Sequence, residues 1–317
     1  MEKVFFIGDV ALDEYYQADY FPKLKEKIIV HTLPAQMGGS MANAACVFAA
    51  LGNQPGFLTA LNSGAITQQL MRGLHEAGIS TEHMVFDDSI PDAKCLIILA
   101  ENEHTVFIPT LALQRIDISE AAFTALRECD YICTNFCEIR PLRCGERDVY
   151  SLLSELLEHG TRIWCDLDCA DLSDEEVRLF PFMDAIFINE KGAENLEKRY
   201  GAGWKQELFS QGVRIITETQ AENGCVISTS AGEAAAIPGV SVEVEDVTGA
   251  GDTFCSSFLH GYIRSGDIRR AGEFANYVAA RAVTGLGARY GVTDAGTLRR
   301  FIDEHGGSSA DFEDFFN

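Results

Sequence analysis

Asp246-Val247-Thr248-Gly249-Ala250-Gly251-Asp252-Thr253-Phe254 reads as a strand end, a glycine turn and the first turn of a helix. Upstream, Val240, Val242 and Val244 alternate with their neighbours as a half-exposed strand does. Downstream, Phe254, Phe258, Leu259, Tyr262 and Ile263 recur at helical spacing, which makes Gly249-Ala250-Gly251 the opening of that helix. Backbone N–H groups at a helix start have no intrahelical acceptor and lie at the positive end of the dipole. Such a turn holds a phosphate without any lysine. Asp252, one residue past the last glycine, is placed to take a proton from an attacking hydroxyl while those N–H groups hold charge on a transferred phosphoryl group. Taken alone, a Gly-x-Gly before an Asp is also the ordinary opening of a helix with a favourable acid in its first turn.

The nine residues together resemble the signature of the ribokinase-like (PfkB) carbohydrate kinases. A second match lies near the N-terminus, where Gly38-Gly39, Ala42-Asn43-Ala44-Ala45 and Leu51-Gly52 resemble the sugar-binding motif of that family. The resemblance implies a ribokinase-like α/β fold: a mostly parallel sheet flanked by helices on both faces, with a small antiparallel β lid. Residues 1–317 then form one domain, its lid contributed by about 14–36 and 84–112. It also implies an ATP-dependent sugar kinase in which Asp252 is the general base and Gly249, Ala250 and Gly251 form the anion hole. Magnesium, bound mainly through the ATP phosphates, would complete the site.

Composition is compatible with this. The chain has 317 residues, 47% hydrophobic and 23% charged, an ordinary globular balance for one large α/β unit. A formal charge of −23 argues against nucleic acid or an anionic membrane as partner, because both need a basic surface. No long apolar run and no basic leader appear, so the sequence reads as cytoplasmic. The ten cysteines read as buried thiols, since Cys129, Cys133, Cys137 and Cys144 lack the paired spacing of metal sites.

In chain order, Val4 to Ile7 is a buried strand opening onto Gly8-Asp9, and Asp13 follows. The resemblance gives Asp13 two sugar hydroxyls; without it, Asp13 reads as a solvated loop acid. Tyr15 to Gln36 and Met84 to Pro109 read as short strands, a flap hinged near Gly38-Gly39 that closes over the sugar and excludes water. Its edge is a candidate homodimer surface. Ser40 to Leu51 reads as a helix with Asn43 in its first turn, offering donor and acceptor to a hydroxyl. Beyond Arg115, alternating strands and helices imply a parallel sheet with ligands at its carboxyl edge, where Asn135, Glu138, Asp166, Asp168 and Asn189 follow strands. Glu138 reads equally as a sugar contact or a loop acid.

The remaining assignments come from the resemblance. Asn189, Gly224, Asn276 and Gly287 align with nucleotide contacts, although Asn276 sits on an alanine-rich helix that reads equally as packing. Asp246 and Thr248, with carbonyls of Ala282, Gly285 and Gly287, align with a monovalent cation site, potassium being the candidate. Several positions depart from the family pattern. Asn62-Ser63-Gly64-Ala65 stands where many relatives carry a Gly-Asp pair. Gly192 replaces the Glu of an Asn-x-x-Glu motif, and Gly291 replaces a serine cation ligand. Asp166-Leu167-Asp168-Cys169-Ala170 changes the end of an Asp-x-Asn-x-Arg motif, and Thr217 to Gly224 carries two extra residues. Two rival functions follow. One is a nucleoside kinase with Tyr15, Tyr16 or Phe107 clamping a base; the other is a non-catalytic sugar sensor. The tail from Ser308 to Asn317 either frays or docks its aromatics.

Overall fold

Eight strands form the main sheet: β1 (Val4–Ile7), β2 (Gly56–Leu58), β3 (Tyr131–Thr134), β4 (Arg162–Asp166), β5 (Ala185–Asn189), β6 (Ile215–Thr219), β7 (Cys225–Thr229) and β8 (Ala234–Ile237). The computed structural model describes residues 2–101, 103–111, 113–167 and 172–316. The spatial order is β8-β7-β6-β5-β4-β3-β1-β2. Strands β1 to β6 pair in parallel, and β7 and β8 close one edge antiparallel. The strands are near-continuous apolar runs because both faces are covered. Ala185 and Phe187 of β5 enter one core with Phe254 and Phe258, whereas Ile186 and Ile188 enter the other with Leu196 and Leu208. Strand β1 lies between β2 and β3, so the connections diverge there and leave a crevice at the carboxyl ends of β1 and β3.

Three helices carry the first core towards that edge: α1 (Ser40–Ala50), α2 (Ala250–Ser265) and α3 (Ile268–Ala282). Phe254, Phe258 and Tyr262 recur every four residues, and Phe258 lies 5.9 Å from the ring of Trp164 and 5.6 Å from Phe187. Full burial of such a ring contributes about 1.5–3 kcal/mol, so the register of α2 on the sheet is set by aromatic packing. Its N-terminus is thereby fixed at the sheet's carboxyl edge.

The strand expected over Val240 to Val244 is not formed. These residues have no strand partner; Val240, Ser241, Val242 and Val244 line a cleft, with Val240 and Val242 half-buried and Val244 exposed. The strand expected from Val213 begins at Ile215, because Val213 N–H is used by Leu208 O to close the preceding helix.

The small sheet has five strands centred on Ala11–Gln17 and Lys94–Ala100. It is mixed rather than wholly antiparallel: these two long strands run parallel, with Asp13 opposite Cys95, while the other pairings are antiparallel. It also starts at Ala11, earlier than expected, and Val85–Phe86 pairs with Ala60–Leu61 outside it. Phe21, Leu24, Ile29, Phe107 and Ile108 are exposed on or beside it, where a homodimer surface was expected. Among the described residues no helix is long and apolar enough to cross a membrane. Cys129, Cys133 and Cys144 are buried thiols, and Cys137 is exposed.

The tail docks. Phe312 and Phe315 are buried against Phe274, and Arg270 pairs with Asp314 at 2.7 Å. Beneath it His260, 1% exposed, meets Phe315 O at 2.7 Å and Asn53 Nδ2 at 2.8 Å. Asn53 donates there, so Nδ1 is the acceptor and the neutral ring carries its proton on Nε2. Burial lowers the His260 pKa from 6.5 to about 4. Between those values the unfolded chain holds a proton that the folded chain does not. The stabilisation is therefore complete above 6.5 and declines as pH falls towards 4, by about 3 kcal/mol. Denaturation midpoints of wild type and His260→Gln across this range should show a shallower acid loss in the variant; parallel pH profiles would refute the assignment.

Candidate active site

Asp9 leaves β1 and folds back over the start of α1. Its carboxylate accepts the N–H of Ser40 at 3.0 Å and of Met41 at 3.1 Å, capping the helix from a distant segment. This approach requires Gly39, whose φ is +97° and whose Cβ would stand 2.6 Å from Asp9 O and Val10 Cα. Gly38 pairs with Ala11, and a Cβ there would run into the Asp13 carboxylate. Close packing of this segment accounts for both glycines.

The same placement buries Asn43 in the first turn of α1. Asn43 Nδ2 donates to Asp252 Oδ2 at 3.0 Å, and Asn43 Oδ1 accepts from Arg289 Nε at 3.0 Å. Because arginine only donates, the amide orientation is determined. Arg289 thus uses one of the two lone pairs of the Asn43 carbonyl and Asp252 one of its two N–H groups, so one acceptor site and one donor remain beyond these contacts. Asp13, 9% exposed, lies close enough to feel the Arg289 charge and makes the fourth member of this polar ring. Burial raises its pKa, while a hydrogen bond with the Cys95 thiol and the charge of Arg289 oppose the rise. Tyr15, two residues on, shares its face, and burial with the nearby Asp13 and Asp246 charges pushes its hydroxyl up to about 12. Tyr16 bonds Glu14 on the opposite face, and Phe107 stacks on Phe21 at 6.5 Å. Of the three candidate clamp aromatics, only Tyr15 lies beside Asp13.

Glu138 follows β3 in a short helix capped by Asn135. Burial, reinforced by the Asp9 charge, pushes its pKa to about 7, so its carboxyl changes charge near neutrality. It sits at the crevice between β1 and β3, with its Cγ 3.3 Å from where a Gly8 Cβ would stand.

On the other side of Asp252 lies a cleft of about 1000 Å³. Gly249, Ala250, Gly251 and Asp252 line it. The two glycines differ. Gly249 has φ +76° and its Cβ would run into Ala288 O, whereas nothing lies within 4 Å of a Cβ on Gly251. Gly251 therefore faces open space, as a turn receiving a ligand requires.

Asn189, Gly224 and Asn276 reach the same cleft. Asn189 Oδ1 accepts Gly192 N–H at 2.8 Å, so Gly192 is part of a helix cap; acids on the cleft wall are Asp166, Glu176, Glu190 and Glu222, with Asp252 at the turn. Gly224 packs against Ile237 O, and Asn276 Nδ2 donates to Pro238 O at 3.0 Å, so both also hold the wall in place. Gly287 does not line the cleft. Its N–H donates to Asp246 Oδ2 at 2.9 Å, and its Cβ would stand 2.6 Å from Gln36 Oε1 of the small sheet. Asp246 Oδ1 in turn accepts from Thr248 N at 2.9 Å and Oγ1 at 2.6 Å. The proposed cation ligands Asp246, Thr248 and Gly287 are thus bonded to one another; Gly285 lies under the Tyr290 ring and Ala282 ends α3. Asp168, Cys169 and Ala170 lie outside the described residues. Sequence reasoning missed Asp9, Glu190 and Arg289 as site residues. The place of Asp9, directly after a buried strand, was a usable signal; nothing in the pattern singles out Arg289.

The model of the pfkB family carbohydrate kinases matches residues 1–295. A nucleoside kinase of Methanothermobacter thermautotrophicus is 24% identical over 95% of this chain and 96% of that protein. A ribokinase of Bacillus subtilis is 24% identical over 92% and 96% respectively. Among solved structures, a ribokinase from Thermotoga maritima superposes with a TM-score of 0.80 at 20% identity, covering 96% of this chain and 100% of its own. An Arabidopsis thaliana ribokinase complexed with ribose and ATP gives 0.79 at 17% identity, over 95% and 98%.

The glycine geometry separates two substitutions. Gly39→Ala should lower the melting temperature strongly, because main-chain atoms of Asp9 and Val10 must move. Gly251→Ala should melt within about a degree of wild type, since its methyl meets nothing and surface changes usually stay within about 0.5 kcal/mol. Equal destabilisation by the two variants would contradict this division.

Proposed function

The chain belongs to the pfkB family of carbohydrate kinases, and on that premise we propose that it transfers the γ-phosphoryl group of ATP to a hydroxyl of a small carbohydrate. The observation that carries the reading is the position of Asp252. It stands between a deep cleft and a buried ring of polar side chains, at the start of a helix whose Gly251 faces open space.

The cleft fits the nucleotide. Its apolar wall, with Val242, Ala279 and Val283, suits a base, and the N–H groups of the 249–251 turn suit the phosphates. Magnesium, when bound to those phosphates, would neutralise part of their charge. Asp166 and Glu190 are two of the carboxylates on the wall that would contribute to its shell. Asp246, Thr248 and Gly287 form the contact at which a monovalent cation would bind, and turnover in potassium against tetramethylammonium chloride reads that dependence.

The acceptor occupies the ring side. Asp13 accepts hydrogen bonds from its hydroxyls, and Glu138 titrates beside the crevice. Asp252 Oδ2 is held by Asn43, which orients the carboxylate so that its other oxygen meets the attacking hydroxyl. In a loose transition state the proton moves late, as oxygen bonds to phosphorus, so a weakly basic carboxylate suffices. The backbone turn holds the charge on the transferred group, and the small sheet, acting as a lid, keeps out competing water. A nucleoside acceptor is the second reading. Tyr15 favours it, because its ring lies on the face of Asp13. Offering sugars and nucleosides with Mg-ATP separates the two.

Asp252→Asn keeps the shape and the Asn43 contact but cannot take a proton. Single-turnover phosphorylation should fall about 10²- to 10⁴-fold with nucleotide binding retained. A folded variant keeping more than half the wild-type rate would remove Asp252 as base and favour the non-catalytic sensor. Gly251→Ala should lower turnover at unchanged melting temperature.

A further inference from the structure

Arg289 belongs to the acceptor ring, yet the assigned chemistry does not use it. Its Nε donates to Asn43 Oδ1 at 3.0 Å, and its charge acts on Asp13 and on Cys46 one turn further along α1. The guanidinium thus lies where Asn43, Asp13 and Asp252 converge. Its Nη2 is buried and has no hydrogen-bond partner among the described residues. Leaving a buried guanidinium N–H unsatisfied is costly, and buried polar groups nearly always find a partner. Orienting the Asn43 amide requires one donor, which Nε already provides. A neutral donor would do this without carrying a charge and an idle N–H into the ring. A ligand oxygen in the ring would give that N–H its partner.

We propose that Arg289 binds the acceptor directly, its Nη2 donating to an oxygen adjacent to the hydroxyl held by Asp13. This rests on the acceptor occupying the ring, as argued above. Asp13 as carboxylate only accepts hydrogen bonds, whereas Arg289 only donates them. The pair therefore reads two neighbouring oxygens, as in a vicinal diol or a hydroxy-carbonyl unit. An acceptor lacking the second oxygen would leave Nη2 buried and unpaired, and sites built this way discriminate strongly against deoxy analogues. Charge points to a neutral acceptor. Asp9, Asp13 and Asp252 already place carboxylates at or beside the ring, which opposes an additional anion.

The test offers ribose, 2-deoxyribose, fructose and adenosine with Mg-ATP to wild type, Arg289→Lys and Arg289→Met. ADP release is followed, and the melting shift caused by each acceptor is measured in parallel. For the best acceptor, Arg289→Met should raise KM about 10- to 100-fold, the usual range for a hydrogen bond to a charged group. Arg289→Lys should raise it less. The KM for ATP should stay within about twofold, and the preference for ribose over 2-deoxyribose should shrink in both variants. A fall in kcat at unchanged acceptor KM would overturn the proposal, because Arg289 would then act only through Asn43 and Asp252. If Arg289→Met does not fold, Arg289→Lys decides by the same split. If wild type phosphorylates nothing but is stabilised by a sugar, and Arg289→Met is not, the kinase reading fails while the Arg289 assignment stands. A wild type neither turning over nor stabilised by any of the four overturns both.

Discussion

The hydrogen bond between Asn43 and Asp252 joins the first turns of two helices whose residues are 209 positions apart, and the candidate site is arranged around it. Neither side chain reaches that position by local preference. Asn43 is there because Asp9 caps α1 from the end of β1 and Gly39 lets the two backbones touch. Asp252 is there because Phe254, Phe258 and Tyr262 seat α2 on Trp164 and Phe187. Both helices start at the carboxyl edge of the sheet, so their positive ends converge on one region.

Much of this was legible in the sequence, for reasons that differ between residues. Strands β1 and β3 and the helix starts at Ser40 and Ala250 follow from apolar periodicity and glycine punctuation, which are local signals. Asp252 was legible because the whole turn is contiguous. Val240 to Val244 misled because an extended segment along a cleft shows the same alternation as a strand without needing a partner. The lid was read as antiparallel because short strands joined by turns suggest hairpins. Its long strands instead pair in parallel across residues far apart in sequence, which no local pattern reports. Arg289 was invisible for a related reason: its partner Asn43 is 246 positions away.

The glycines of the signature separate fold from chemistry. Gly249 is needed by the chain itself, through its left-handed backbone and the Ala288 carbonyl against it. Gly251 meets no such demand. A glycine whose Cβ would be free is a conformational liability in a first helical turn unless something absent from the chain comes close. That asymmetry is a physical argument for a ligand at the turn, independent of any likeness to other proteins.

The segment that ties the two sides together is Gly287-Ala288-Arg289. Gly287 N–H holds Asp246 at the start of the signature, Ala288 O packs on Gly249, and Arg289 holds Asn43. Three consecutive residues thus touch the strand-to-helix connection, the 249–251 turn and helix α1. Gln36 of the small sheet lies against Gly287 from the other side. The small sheet therefore bears directly on the segment that packs against the 249–251 turn and Asn43. The small sheet and the polar side chains around Asn43 are thus linked by direct contacts, with no longer path through the core.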